Sequence, residues 1–341
     1  MVKASTGLVV LGAVIAATAL FNHHRVLQAN PLPDLFVNKL FVEYLMQGSR
    51  ITIKSPAEQN YRLNVLRKNL LFIEDLNRGT PGGYSPNPLA VMTYDEVKAQ
   101  MMGFNLPPQG INVEEISQER LAEFAQNAPV KSAQLGKKAW EVRIRYQQYC
   151  GGCWSFATVL ALEKLMYDKV GIQYKFSEQH LIDCDQENNG CNGGLPHTAY
   201  KFVKEEGIAL DSAYPFQGSE TNCKKNLRNF KFGNSLSTQQ IQYNHDIVLE
   251  LVRRGIFIPI GINADESFQY ASSADNVFNP SSCGARPNHA VTIVNATSEY
   301  FEIQNSWDTR WGNNGRKKIR PCNFKKEMMG KPSILFPPVR I

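Results

Sequence analysis

An α+β fold is predicted, and three features of the sequence predict it. Apolar residues recur at helical spacing early in the chain and again in a heavily apolar helix beginning at Cys153. Runs of β type come later, at Ile256 to Ile262, Ala290 to Val294 and Tyr300 to Gln304. All seven cysteines follow residue 149, so the cross-linked domain lies in the second part of the chain.

The elements follow in order. Lys3 precedes an apolar run from Gly7 to Phe21 with small residues at Ala17, Thr18 and Ala19, which reads as a secretory signal over residues 1–21. At about 15 residues the run is shorter than the roughly 18 to 20 of a spanning helix, so cleavage is favoured, with an uncleaved membrane anchor as the alternative. In a secretory setting an odd cysteine count implies three disulfides and one remaining thiol; six half-cystines allow about 15 pairings, and counting does not choose among them. The net charge of +6 is dispersed and aromatic residues do not interleave with Lys and Arg, which argues against a nucleic-acid partner.

From Pro33 the residues Leu35, Phe36, Leu40, Val42 and Leu45 predict one helix. A second opens at Pro56, where Glu58, Arg62, Leu66, Asn69, Ile73 and Asn77 step along a single stripe. A stripe mixing these charges and amides with apolar residues is predicted to pack against something. Gly and Pro between Gly79 and Pro88 predict a loop, Asp95 to Met102 a short helix, and residues 106–132 a polar linker. The helix from about Cys153 to Lys169 carries Phe156, Val159, Leu160, Leu162, Leu165 and Met166 and is predicted to be buried.

The chemistry centres on Cys153. A helix N-terminus favours the thiolate, which is the nucleophilic form. Cys150 and Cys153 also form a C-x-x-C, but Cys184 and Cys191 are too widely spaced for a second zinc-ligand pair, and no strand leads into Cys150 as in a redox βαβ unit. A thiolate needs a base, and the base needs a group to hold its ring. A hairpin centred on Thr297, with its turn at Asn295 to Glu299, sets His289 opposite Asn305, within about 5.5 Å at Cβ. The remaining histidines, His23, His24, His180, His197 and His245, read as surface residues. For the oxyanion, the Cys153 N–H and the Gln147 side chain are the candidate donors.

These residues resemble the papain and cathepsin L family over nearly the whole chain after the signal. Gln147 to Trp154 resembles the family's Gln-Gly-x-Cys-Gly-Ser-Cys-Trp, with Gln148 and Gly152 as departures. Ser177 to Gln179, Cys191 to Gly194, Asn288 to Val291, Asn305 to Trp307, and Trp311, Gly312 and Gly315 carry the rest. The resemblance implies a two-domain peptidase over 133–341, helical on the left and sheet-rich on the right, made as a zymogen. In it Cys153 is the nucleophile, His289 the base, Asn305 the orienting residue under Trp307, and Gln147 an oxyanion donor. It implies disulfides Cys150–Cys191, Cys184–Cys223 and Cys283–Cys322, leaving Cys153 free. It identifies Glu58, Arg62, Asn69, Ile73 and Asn77 as an inhibitory propeptide signature within 33–105, with activation cleavage in the linker 106–132.

The second propeptide motif keeps Asn87 and Leu89 but has Val91 where an Asp is usual, and Asp308 replaces a Gly after Trp307. The substrate wall falls on Gly193 and Gly194, and a pocket of Leu195, Pro196, Gly261 and Ala290 implies an apolar residue two positions before the scissile bond. No occluding insertion is apparent, so an endopeptidase is expected. It is expected to be a monomer without cofactor or metal, acting on peptides and proteins, held by its own propeptide, and located in a lysosome or vacuole or outside the cell.

Overall fold

The Ser55 hydroxyl accepts the Glu58 N–H and Pro56 supplies a preset first turn, so a long helix starts here. It runs over Pro56–Gly79 (α2) in the computed structural model, which describes residues 32–47, 51–107, 140–232, 236–238, 241–242, 245–279, 286–321, 334–335 and 338–340. Before it lies α1, Asp34–Met46, whose buried face is Val37, Phe41 and Tyr44. Leu35 and Val42, predicted as part of the apolar face, are exposed, because steps of four and three from Val37 select a different stripe. A 3₁₀ turn at Pro88–Val91 follows, then α3, Tyr94–Met101, closed by a capping box between Thr93 and Glu96.

The polar stripe of α2 has a partner within its own segment. Asn69 Nδ2 donates to Ala90 O and Met92 O, both at 2.8 Å, and Asn77 exchanges two 3.0 Å bonds with the Tyr84 backbone. Arg62 Nη1 reaches Glu96 at 2.7 Å, Leu66 and Ile73 are buried, and Glu58 caps the Lys54 N–H. The stripe thus holds the stretch 84–92 that it faces, with its 3₁₀ turn.

In the cysteine-bearing half, α4 (Cys153–Val170), α5 (Glu178–Cys184) and α6 (Pro196–Glu206) build a helical lobe around Trp154, Val159, Leu162 and Tyr200. The other lobe carries α7, His245–Arg253, and an antiparallel sheet of order β2-β7-β3-β4-β5-β6. These strands are Ile241–Gln242 (β2), Ile258–Ile262 (β3), His289–Ala296 (β4), Phe301–Gln304 (β5), Arg316–Ile319 (β6) and Ile334–Leu335 (β7). Ser237–Thr238 (β1) pairs separately with Pro338–Arg340 (β8). The α+β prediction therefore holds.

Disulfides Cys150–Cys191 and Cys184–Cys223 pin the helical lobe, and Cys153 is a free, buried thiol. Cys283 and Cys322, the signal and most of the linker lie outside the described residues. No helix among the described residues is long and apolar enough to cross a membrane.

The N-terminal segment docks on the sheet lobe. Val37, Phe41, Leu66 and Leu70 share one apolar cluster with Ile258, Ile260, Phe268 and Val291. Tyr84 bridges Ala271, Ser85 N donates to Tyr270 O, and Ser272 N to Gly83 O. Beneath this loop is a buried ammonium: Lys317 Nζ donates to Ser272 O, Ala274 O and Asn276 Oδ1, so all three of its donors are used. Burial brings this lysine down to about 8.

Candidate active site

Cys153 is the first residue of α4, where the helix leaves its N–H groups unpaired. Its Sγ accepts N–H groups from Gly103 and Ala290, each at 3.3 Å. Sequence reasoning placed this thiol at a terminus that lowers its pKa. In the covered cleft burial prevails and pushes the thiol up to about 11, against the pull of the Ala290 and Gly103 N–H groups.

His289 opens β4 and is fully buried. Its Nε2 lies 2.8 Å from Asn305 Oδ1. The Ser306 N–H also points at that atom at 2.8 Å, and a backbone N–H can only donate, so Oδ1 is the acceptor and Nε2 carries the proton. Nδ1 is then a lone pair, buried and without a hydrogen-bond partner. The Trp307 ring lies 4.7 Å from the imidazole and Phe268 6.2 Å. Burial lowers His289 to about 4, with the Asn305 bond acting the other way.

The predicted hairpin exists, but its register differs. Thr292 pairs with Gln304 and Ile293 with Ile303, with an irregularity before Asn295 opposite Glu302. The turn is Thr297 to Tyr300, fixed by Thr297 N donating to Tyr300 O and by the Thr297 hydroxyl accepting the Glu299 and Tyr300 N–H groups. Continued down the ladder, Asn305 falls opposite Val291 and two residues from His289. An offset of two preserves the face, so the diagonal pair still meets.

Gln147 is buried. Ser306 Oγ donates to its Oε1 at 2.6 Å, turning Nε2 toward the Cys150 and Met101 carbonyls, both at 2.8 Å. Met101 belongs to the N-terminal segment, which continues through the cleft as an extended strand. Gly103 O accepts the Gly194 N–H, Asn105 N donates to Gly194 O, and Phe104 N donates to Asn288 O. Gly193, at φ +115°, and Gly194 form the wall beside this strand, and a side chain at Gly193 would collide with Asn105 and the Gly103 carbonyl.

The Phe104 ring fills the predicted pocket. It shares an apolar cluster with Leu195 and Ala290, Pro196 is buried beside them, and a Cβ on Gly261 would overlap the ring. The structure thus brings together Cys153, His289, Asn305, Gln147, Trp307 and the pocket residues, while Arg62, Asn69, Ile73 and Asn77 lie away from the cleft against the 84–96 stretch and Glu58 bonds the Lys54 N–H.

Sequence reasoning missed Gly103, Phe104 and Ser306, although a Gly-Phe pair just after a short helix was a readable sign of close backbone approach followed by an anchor. His180 is also not a surface residue. It is buried, its Nδ1 accepts the Ala209 N–H at 3.3 Å, and burial lowers it to about 4. Among the described residues no cluster suited to a metal ion occurs.

Comparison with known proteins gives one answer. Residues 131–331 match the family described as "Papain family cysteine protease". Papain of Carica papaya is 28% identical over 284 residues, covering 83% of this chain and 81% of papain. The senescence-specific cysteine protease SAG12 of Arabidopsis thaliana is 30% identical over 304 residues, covering 84% and 85%. A recombinant stem bromelain precursor superposes with a TM-score of 0.70 at 26% identity, over 89% of this chain and 99% of that one. Procathepsin L2 from Tenebrio molitor, at 23% identity and a TM-score of 0.70, shares the fold. The chain belongs to the papain family of cysteine proteases, enzymes that hydrolyse peptide bonds.

Proposed function

We propose that this protein is the zymogen of a cysteine endopeptidase whose working residues are Cys153, His289, Asn305 and Gln147. The observation that carries the reading is their convergence on one cleft, where the segment Met101 to Asn105 lies across the thiol. His289 Nδ1 takes the Cys153 proton, and Sγ adds to the carbonyl carbon of the scissile bond. The oxygen, now an anion, is held by Gln147 Nε2 and the Cys153 N–H. His289 then hands its proton to the leaving amine and the C–N bond breaks, leaving an acyl-enzyme. Water, deprotonated by His289, releases the acid and restores the thiol. Asn305 holds the ring, and Trp307 covers it.

Residues 33–105 act as the inhibitory prosegment, and the resemblance to a bromelain precursor supports this. Its Phe104 occupies the pocket of Leu195, Gly261 and Ala290, so substrates carry an apolar residue two positions before the scissile bond. Cleavage within 106–132 releases it, and the leader directs the chain into the secretory pathway. The test is hydrolysis of a fluorogenic peptide with Phe at that position by acid-processed, reduced protein and its Cys153→Ala variant. Turnover confined to the unaltered protein is expected. No turnover from correctly processed protein would refute the reading in favour of a protease-like peptide binder.

A further inference from the structure

Leaving-group recognition is built around a residue that the proposed chemistry does not use. Phe104 fills the pocket before the scissile bond, Gly103 N meets Cys153 Sγ, and Met101 lines one cavity with Trp307, so the leaving-group side of the cleft is the side of Trp307. A small cavity there is bounded by Tyr146, Trp307 and Arg310 on the protease and by Leu89 and Met101 on the prosegment. Among the described residues Arg310 is its one charged lining group.

The guanidinium is held from behind. Asp308 Oδ2 accepts Nε at 3.0 Å and Nη2 at 2.5 Å. Asp308 is itself fixed: its backbone is left-handed at φ +69°, its N–H donates to Arg145 O at 3.1 Å, and its Oδ1 accepts the Thr309 N–H and hydroxyl. One edge of the guanidinium is thus committed to orientation. The other, Nη1, donates at 2.6 Å to Gln47 O, the C-cap carbonyl of α1, where a helix presents partial negative charge. That acceptor belongs to the prosegment and leaves with it, and a planar guanidinium with a free edge favours a carboxylate.

We propose that in the processed enzyme Arg310, positioned by Asp308, selects substrates bearing a carboxylate on the leaving-group side. The inference rests on the peptidase reading above. Trp307 lies against His289 and shares its cavity with Arg310, and at about 3.4 Å per extended residue this places the carboxylate about two residues beyond the scissile bond. An acidic side chain and a free chain end both supply it.

The test uses processed enzyme and internally quenched peptides with Phe two positions before the bond and Glu, Gln or Lys two positions after it. A second pair ends at that position as free acid or amide. A preference of about fivefold in kcat/KM for Glu over Gln, or for acid over amide, is expected at low salt, fading as salt is raised. The first pair reports a side-chain carboxylate and the second a chain end. In Arg310→Glu the preference inverts toward Lys, which a merely structural role would not produce. Equal turnover of Glu and Gln together with equal turnover of acid and amide overturns the inference and leaves the peptidase standing, as does a Glu preference that survives in Arg310→Glu. Hydrolysis of none of the peptides overturns both.

Discussion

The closed state of the cleft rests on Gly103, and replacing it by Ala is the sharpest way to open it. A Cβ there would overlap the Gly151 carbonyl and press on the Gly193 Cα, which are backbone atoms with nowhere to go. The strand must lift instead. Lifting breaks the bonds from Gly103 N to Cys153 Sγ, Gly194 N to Gly103 O, Phe104 N to Asn288 O and Asn105 N to Gly194 O. These contribute about 1 kcal/mol each, and burial of the Phe104 ring about 2 kcal/mol. Loss of half that sum, about 3 kcal/mol, raises the open population roughly a hundredfold. The readout is alkylation of Cys153 by iodoacetamide in the full-length chain at pH 7, followed by intact mass, with Cys153→Ser as the control. In the parent a thiol near 11 is ionised to about one part in ten thousand and is also covered, so labelling is very slow. Gly103→Ala is expected to label about a hundred times faster. Equal rates in the two proteins would refute the strand's role as the cover.

Three further outcomes are expected. Gln147→Ala removes one oxyanion donor and lowers kcat of the processed enzyme by about a hundredfold or more with KM little changed, as steady-state kinetics will show. Gln148 sits at φ +53° where the family carries Gly, so Gln148→Gly stabilises by about 1 kcal/mol and raises Tm by about 2–4 °C in a thermal melt. Burial raises the Glu96 pKa, but Arg62 and the Thr93 N–H and hydroxyl outweigh it and hold the carboxyl below its ordinary 4.5. The stabilisation is therefore present above about 4.5 and lost as pH falls through the lower folded value. Glu96→Gln lacks it at every pH, so prosegment removal followed on gels will begin at a higher pH than in the parent, and an unchanged pH profile would exclude this ion pair as a trigger.

What the sequence made legible is what local rules decide. Helix α2 was readable to within a residue at its start because Pro56 is a local signal, and α4 because so many of its positions are apolar. The pairing of His289 with Asn305 was readable as a shared face, because side chains alternate along strands. Its register was not, because the Thr297 hydroxyl chose the turn and an irregularity before Asn295 shifted the ladder. Tertiary contacts settled the rest. Nothing local to Gln147 reveals that Ser306, 159 residues away, turns its amide. The pKa of Cys153 in the covered cleft was not legible for the same reason: the helix terminus is local, while the burial that prevails there is tertiary.

That burial means that the prosegment inhibits in two ways at once. It fills the pocket and occupies the Gln147 amide, and its Gly103 covers the Cys153 thiol, which burial pushes up to about 11. Coupling of this kind is reciprocal. If the bound prosegment disfavours the thiolate, then forming the thiolate must weaken the bound prosegment by the same factor. Acid favours the thiol and must act elsewhere. It neutralises Glu96 at the cap of α3, whose carboxyl Arg62 holds below its ordinary value in the bound prosegment. Val91 occupies the position from which an aspartate would otherwise respond, and it is fully buried among apolar neighbours, so in this chain the Arg62–Glu96 pair is the contact of the prosegment expected to respond to acid.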